Sequence, residues 1–491
     1  MLKLGIRSRP ADPALPRIIA VREGRVPPAF AAAAARLGFS GKAGEIAEPA
    51  SAVRTILLGL GDVPPRHAVE TAGAAAAARL ADAPHIVLEP DRAIGAAEIA
   101  GLAAGIALGA WRFEAHRTRG VTPGTTRLSI VTPLAKAVRA AWARQEAAVR
   151  GCLFARDLVS EPANHLTTRR FAQRLEALAA FGIEVDVLGS KRLAQAGFGA
   201  LLAVGGAAAS PPRLAVLRWR GRLDAPPVAF IGKGLVFDTG GVSIKPADGM
   251  EAMRADMAGA AACAGAMLAL ALRQSPAPAI AVLPLAENAT GAASYRPSDI
   301  IRTLSGRTVE VVDTDAEGRL VLADALTFAA RMRPRAMVDV ATLTGAIITA
   351  LGHHRAGLFG NDAALMSALA AAGDAVGEPL WPMPIGADHR ADLDSDIADL
   401  RQCVPSARGE GGWPARFIPD ACHAAAFLRE FAGAAPWAHL DIAGVDTAEA
   451  PHGLGPAGAT GFGVRLLDQL VETHFETPDH HAPVASISGR V

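Results

Sequence analysis

A chain of 491 residues, 51% hydrophobic and 20% charged, has the length for roughly two or three domains and is too apolar to be disordered. Its net charge of +1 points to no polyanionic partner, although residues 1–150 are basic, with 20 Lys and Arg against 12 Asp and Glu. Four cysteines without a CxxC pair exclude a disulfide framework, the opening MLKLGIRSRP lacks the apolar core of a signal peptide, and the Ala-rich runs at 30–35 and 70–78 are too short or too charged to cross a membrane. The expectation is a cytoplasmic protein without membrane association.

Residues 1–150 alternate short β-rich runs with Ala-rich stretches. RIIAV (17–21), RTILLGL (54–60), HIVLEP (85–90) and RLSIVT (127–132) read as strands, and 63–81 and 91–116 as helices. This predicts a small N-terminal α/β domain, 1–150, with an oligomerisation or regulatory role. A helix over 135–159 leads through the turn-rich SEPANHLT (160–167) into a second domain, 151–491. There the order is helix 168–181, strands 183–188, 213–219 and 227–233, helix 251–273, strands 278–285 and 308–313, helix 318–332 and strand 336–342. Such alternation predicts an α/β fold whose larger C-terminal domain is a three-layer α/β/α sandwich with a mixed, mainly parallel central sheet. Further on, GEGGWPARFIPD (409–420) reads as a loop, HLDIAG (439–444) as a buried strand end, and GATGFGVRLLDQL (458–470) as a Gly-rich turn opening a helix.

In such sheets ligands sit at the carboxyl ends of strands, and the acidic residues gather there. IGKGLVFDTGGVSIK (231–245) carries Lys233 and Asp238 after the apolar run VAFI, and MEAMRADM (250–257) carries Asp256, in the first turns of the predicted helix. DTDAEGRL (313–320) carries Asp315 and Glu317 after VEVV, and Thr342 follows AMVDVA. One such acid is usually a solvated surface charge. Four in Gly-rich surroundings suit two divalent cations, which want oxygen ligands and bridging carboxylates. Asp315 and Glu317 are two apart, so an extended segment would send both from one face, with Asp313 beside them. Gly240, Gly241 and Gly318 permit close approach or positive φ. The GKG stretch is no phosphate loop, because the position that needs Gly is Pro227 and Gly234 follows Lys233. Buried beside dications, the Lys233 amine is expected to be driven down and could ligate as neutral nitrogen, while Lys245 stays charged and polarises a carbonyl. No GxSxG or HExxH pattern offers other chemistry, and the histidine pairs at 353–354 and 480–481 read as structural or surface.

At these residues the sequence resembles the leucine aminopeptidase (cytosol aminopeptidase) family of two-metal exopeptidases. DTDAEGRLVLADAL follows that family's NTDAEGRL signature. The resemblance continues through GKGLVFDTGGVSIKP, MRADMAGAA, LPLAENATG, SYRPSDI, VDVATLTGA and GATGFGVRLL, over roughly 150–475. It implies one ion on Asp238, Asp315 and Glu317 and another on Lys233, Asp238, Asp256 and Glu317. The resemblance implies two divalent cations per subunit, expected to be zinc or manganese, with magnesium as a further candidate. Lys245 matches the family's electrophilic lysine, and Arg319 the arginine that holds a proton-shuttling bicarbonate. Met253, Thr342 and Gly345 match positions lining the pocket for the first side chain, and the Leu343 backbone matches the group beside the scissile bond. The implied activity is removal of the N-terminal residue, leucine and other apolar residues, from peptide substrates by a metal-bridging hydroxide, in a homohexamer.

Three places depart from that family. Asp313 stands where Asn is usual, Ser160 where Asn precedes Glu161-Pro162, and 403–420 carries Trp413 and Phe417 in place of a Gly-Gly-Ala-Ile-Thr run. Two other classes of function remain readable: a basic N-terminal domain that binds nucleic acid, and a metal-poor relative with a structural role, suggested by Asp313.

Overall fold

A computed structural model describes residues 2–8, 12–119, 124–405 and 418–476. Strands β1 (Lys3–Arg7), β2 (Arg17–Val21), β3 (Ile46–Ala47), β4 (Thr55–Gly59), β5 (His85–Pro90) and β6 (Arg127–Val131) form one sheet, ordered β1-β6-β5-β2-β4-β3. Every pairing is parallel except β3 with β4. Side chains alternate along a strand. Ile18, Ala20, Ile56 and Leu58 therefore meet the helices Arg66–Arg79 and Ala96–Gly109, while Ile19, Val21 and Leu57 meet Phe39 and Ala34 on the other face. Strand β1 was not foreseen: KLGIR is short, and its partner β6 lies far along the chain. Part of the basic excess of this region is internally paired, Arg17 with Glu89, Arg22 with Glu98, Arg54 with Glu48 and Asp82, and Arg66 with Glu70.

The helix Ala135–Ser160 carries the chain onward through residue 150. It stops where Glu161 precedes Pro162 and takes extended backbone, φ −73° and ψ 126°. Then come β7 (Glu184–Leu188), β8 (Arg213–Trp219), β9 (Val228–Gly232), β10 (Gly234–Asp238), β11 (Ala279–Asn288), β12 (Ile300–Arg302), β13 (Thr308–Glu310), β14 (Ala336–Ala341), β15 (Ala356–Gly360), β16 (Leu380–Pro382), β17 (Leu400–Arg401) and β18 (Trp437–Asp441). The main sheet runs β16-β15-β18-β14-β9-β11-β8-β7, with β10 beside β11. Its centre, β18-β14-β9-β11, is parallel, and antiparallel pairs occur only towards the edges.

The same alternation builds three layers. Val228, Phe230, Ala281 and Val338 pack with the helix Ala258–Leu272, whereas Ala229, Ile231, Val282 and Met337 pack with the helix Glu317–Arg331. The expected mixed, mainly parallel sheet between helix layers is thus present. Met250–Leu272 has the length and hydropathy of a membrane span, yet 94% of its apolar window is buried inside the fold. A helix apolar all round is an internal one, and this one lies between the sheet and Ala135–Ser160.

Two expectations need correction. The run 308–313 does not join the main sheet, because Thr308–Glu310 pairs with β12 and β17 in a small sheet of its own. The single helix expected over 251–273 is broken: Met250–Ala255 is a 3-10 turn and the α-helix starts at Ala258, leaving Asp256 in the break. All four cysteines are unpaired and buried.

Candidate active site

The carboxyl ends of the central strands deliver the site. Lys233 follows β9, Asp238 ends β10, Asn288 ends β11, Thr342 follows β14 and Asp441 ends β18. After Asp238 the chain must turn sharply, and Gly240 supplies the φ of +83° this requires. In that turn Gly240 N donates to Asp238 Oδ1 at 2.9 Å, and Asn288 Nδ2 donates to the same oxygen at 2.7 Å. With Oδ1 so held, Asp238 Oδ2 faces Lys245 Nζ at 2.9 Å.

Asp315 and Glu317 arrive differently from the expected extended segment. Residues 313–316 form a turn, in which Asp313 Oδ1 accepts from Asp315 N at 2.9 Å, and Glu317 is the first residue of the helix Glu317–Arg331. The physical reason is local capping: an Asp side chain folds back on the backbone two residues on. Asp313 is therefore a turn former and does not share a strand face with Asp315. Gln402, fully buried, secures the turn by donating to Asp313 O at 2.7 Å and Ala316 O at 3.1 Å. Glu317 gains from the helix N-terminus, whose partial positive charge favours a carboxylate. Gly318 beside it has to be Gly, since a Cβ there would lie 2.6 Å from Lys233 Cε.

The charges interlock. Lys233 Nζ lies 2.8 Å from Asp256, 2.9 Å from Glu317 and 2.8 Å from Thr342 O. Lys245 Nζ reaches Asp238 and Asp315. Thr342 Oγ1 donates to Asp256 Oδ1 at 2.6 Å. Burial pulls the Lys233 amine down, but Asp256, Glu317 and Asp238 outweigh it and hold the ammonium well above its ordinary value. The charges facing the amine within the protein are carboxylates, whereas the lowering expected from sequence belongs to the amine beside bound dications. Burial raises Asp256 and Glu317, and it pushes Asp315, with Asp238 nearby, up to about 7 against the pull of Lys245.

The donor set fits divalent cations. Asp238, Asp315 and Glu317 present oxygens within 4.8 Å of one another. Asp256 Oδ2 is buried and has no hydrogen-bond partner among the described residues, a costly state for a lone oxygen and an available one for a metal. The two ammonium groups already sit among carboxylates where positive charge is favoured.

These residues line one part of a cavity of about 960 Å³. Lys233, Asp238, Lys245, Asp256, Asp315 and Glu317 all border it, and so do Met253, Thr342, Leu343 and Gly345. Arg319 does not. It is buried, donating from Nη1 to Gln402 O at 3.0 Å and from Nη2 to Asp420 at 2.9 Å. Trp413 and most of the 403–420 segment, including Phe417, lie outside the described residues, as does the 480–481 histidine pair.

Sequence reasoning missed several neighbours. His353 and His354, read as structural or surface, line the cavity, as do His67 and Thr71 from the helix Arg66–Arg79. Asn288 orients Asp238 from a position the sequence offered only as the end of LPLAEN. Gln402, a lone amide in an irregular segment, gave no signal.

The chain is similar to known proteins in sequence and in fold. The profile of the cytosol aminopeptidase family, catalytic domain, matches residues 153–468. Relatives described as probable cytosol aminopeptidase occur in Brucella ovis, 42% identical over 458 residues and 90% of both chains, and in Rhizobium meliloti, 43% identical over 470 residues and 92% of both chains. The solved structure of the bottromycin maturation enzyme BotP in complex with Mn superposes with a TM-score of 0.83 at 35% identity, covering 94% of this chain and 99% of that one. The chain belongs to the cytosol aminopeptidase family of metal-dependent, peptide-hydrolysing aminopeptidases.

Proposed function

We propose that this chain removes the first residue of peptides, preferring leucine and other apolar residues. What carries the reading is the meeting of Lys233, Asp238, Asp256, Asp315 and Glu317 in one cavity, from strand ends, a helix break and a helix start. These five residues would hold two divalent cations. Zinc or manganese suits a set of carboxylates with one amine, and magnesium is the harder alternative. When bound, such a pair supplies activation of a water at neutral pH and a Lewis acid for the scissile carbonyl.

The chain's own groups do the rest. Lys245, 20% exposed, can donate to the carbonyl oxygen as negative charge develops there. Leu343 N donates to the buried Asp441 at 3.1 Å, which fixes the peptide plane bordering the cavity. Met253, Thr342 and Gly345, with Ile348 and Ala443 nearby, give the first side chain a largely apolar berth, and this supports an apolar preference. For Arg319 to hold bicarbonate, the anion would exchange with Asp420, a swap of equal charge. We assign 1–150 to an N-terminal domain and 151–491 to the catalytic one. The N-terminal helix that contributes His67 and Thr71 supports a regulatory or assembly role. A homohexamer in the cytoplasm completes the reading: exposed Ile300, Trp381 and Ile397 are apolar positions that association would cover, and unpaired cysteines suit a reducing compartment.

Amino-acid amides scanned against manganese, zinc and magnesium test this directly. Leucine amide should turn over with at least one ion; absence of turnover with every ion and every first residue would overturn the assignment. A second expectation concerns Asp313. Since its role is to accept from Asp315 N, Asn serves as well through its carbonyl oxygen. Asp313→Asn should leave kcat/KM within about threefold of the parent, whereas Asp313→Ala loses the cap, worth ~1 kcal/mol by analogy with helix caps. A large loss in the Asn variant would show that the Asp313 charge matters at the cations.

A further inference from the structure

The turn after Ala135–Ser160 carries a second group of metal-binding side chains, away from the cavity. Glu161 and His165 sit on it, pinned by Glu161 N to Leu158 O at 3.2 Å and His165 N to Pro162 O at 2.9 Å. His116 comes from the segment between the helix Ala96–Gly109 and β6, where Arg117 N closes a turn on Glu114 O. Its Nε2 lies 2.5 Å from Glu161 Oε1, and its ring centroid is 4.2 Å from that of His165. One donor atom from each of the three residues falls within 4.8 Å of the others. The second oxygen of Glu161 stands 3.9 Å from Arg174 Nη1, and the Glu161 side chain is only 12% exposed, so the carboxylate is oriented from behind.

We propose that His116, Glu161 and His165 form a further divalent-cation site, selective for a borderline transition metal such as zinc or copper. Two imidazoles and a carboxylate are a familiar three-ligand set for such ions, with bonds of ~2.0–2.2 Å and remaining positions open to solvent. Ligand atoms around one ion at those lengths are roughly 3–4 Å apart, so the observed cluster needs little rearrangement. The chemistry differs from that of the cavity, where the ligands are carboxylates and an amine. Imidazole favours copper and zinc over manganese or magnesium, so the two places would sort ions by softness. None of the three residues borders the cavity. Bound there, an ion ties the segment leading into the first sheet to the turn that opens the second, and it stabilises the folded chain by mass action.

The test is copper or zinc titration into manganese-loaded enzyme, wild type against His116→Ala/His165→Ala. Wild type should bind one more ion per chain than the variant, whatever number the cavity takes. Its Cu²⁺ electron paramagnetic resonance spectrum should show nitrogen coupling that the variant lacks, and leucine amide turnover with manganese should be unchanged. Should the double variant misfold, His116→Gln and His165→Asn singly should each weaken binding by at least about tenfold. Equal stoichiometry in wild type and double variant, or unaltered affinity in both single variants, overturns the site.

Discussion

Glu317→Gln should lower kcat/KM for leucine amide by about a thousandfold or more, equivalent to ~4 kcal/mol of transition-state stabilisation. The substitution keeps the shape and removes one charge. Glu317 is 1% exposed and lies 2.9 Å from Lys233, with Asp238 close enough to raise its carboxyl. Like Asp238, it is proposed to serve both cations, so neutralising it should weaken both at once. The fold should survive. Burial already disfavours the Glu317 carboxylate, an amide does not carry that cost, and Lys233 keeps Asp256 as its counter-ion at 2.8 Å. Metal content and activity measured on the same preparation decide the matter. Turnover within tenfold of wild type, with two ions still bound, would remove Glu317 from the ligand set.

The strands that lead into the candidate site were readable because parallel strands buried on both faces leave continuous apolar runs. VAFI before Lys233 and AMVDVA before Thr342 became β9 and β14, side by side at the centre of the sheet. The DTDAEGRL stretch was readable as a site and misread as structure. Its apolar approach VEVV looks like a sheet strand, but only Thr308–Glu310 pairs, outside the main sheet, and the acids sit in a turn and a helix start. Nothing local marks that switch except Asp313 itself, whose capping ability reads equally as one more acid. Asp256 was readable as a candidate ligand, but the helix break that holds it was hidden for a related reason. No Gly or Pro interrupts 251–258, so the break there is held by tertiary partners, Lys233 and Thr342, which a local pattern cannot show. Gln402 and Asn288 were out of reach because single amides gain meaning only from what they touch.

Those same partners make Lys233→Met the most informative test of stability. Lys233 is 3% exposed and is the cation between Asp256 and Glu317. Met fills similar volume without charge. In chelated protein the two buried carboxylates would then lack their counter-ion, and removing one partner of a buried pair costs about 3–5 kcal/mol. Melting in chelator should therefore fall by several degrees. The deficit should depend on pH in a defined direction. Asp256 and Glu317 are already raised by burial, and without Lys233 they rise further. Between the unfolded carboxyl value of ~4 and that raised value, the folded state holds protons that the unfolded chain has released. Stability then falls as pH rises through this window, and the deficit is smallest in acid. Saturating manganese should narrow the gap to wild type, because a dication replaces the missing charge even though one ligand is gone. Melting curves at pH 5 and 8, in chelator and in manganese, separate these effects. A chelated variant that melts with wild type at pH 8 would mean that Lys233 does not balance Asp256 and Glu317, and that positive charge at this position is not what the buried carboxylates require.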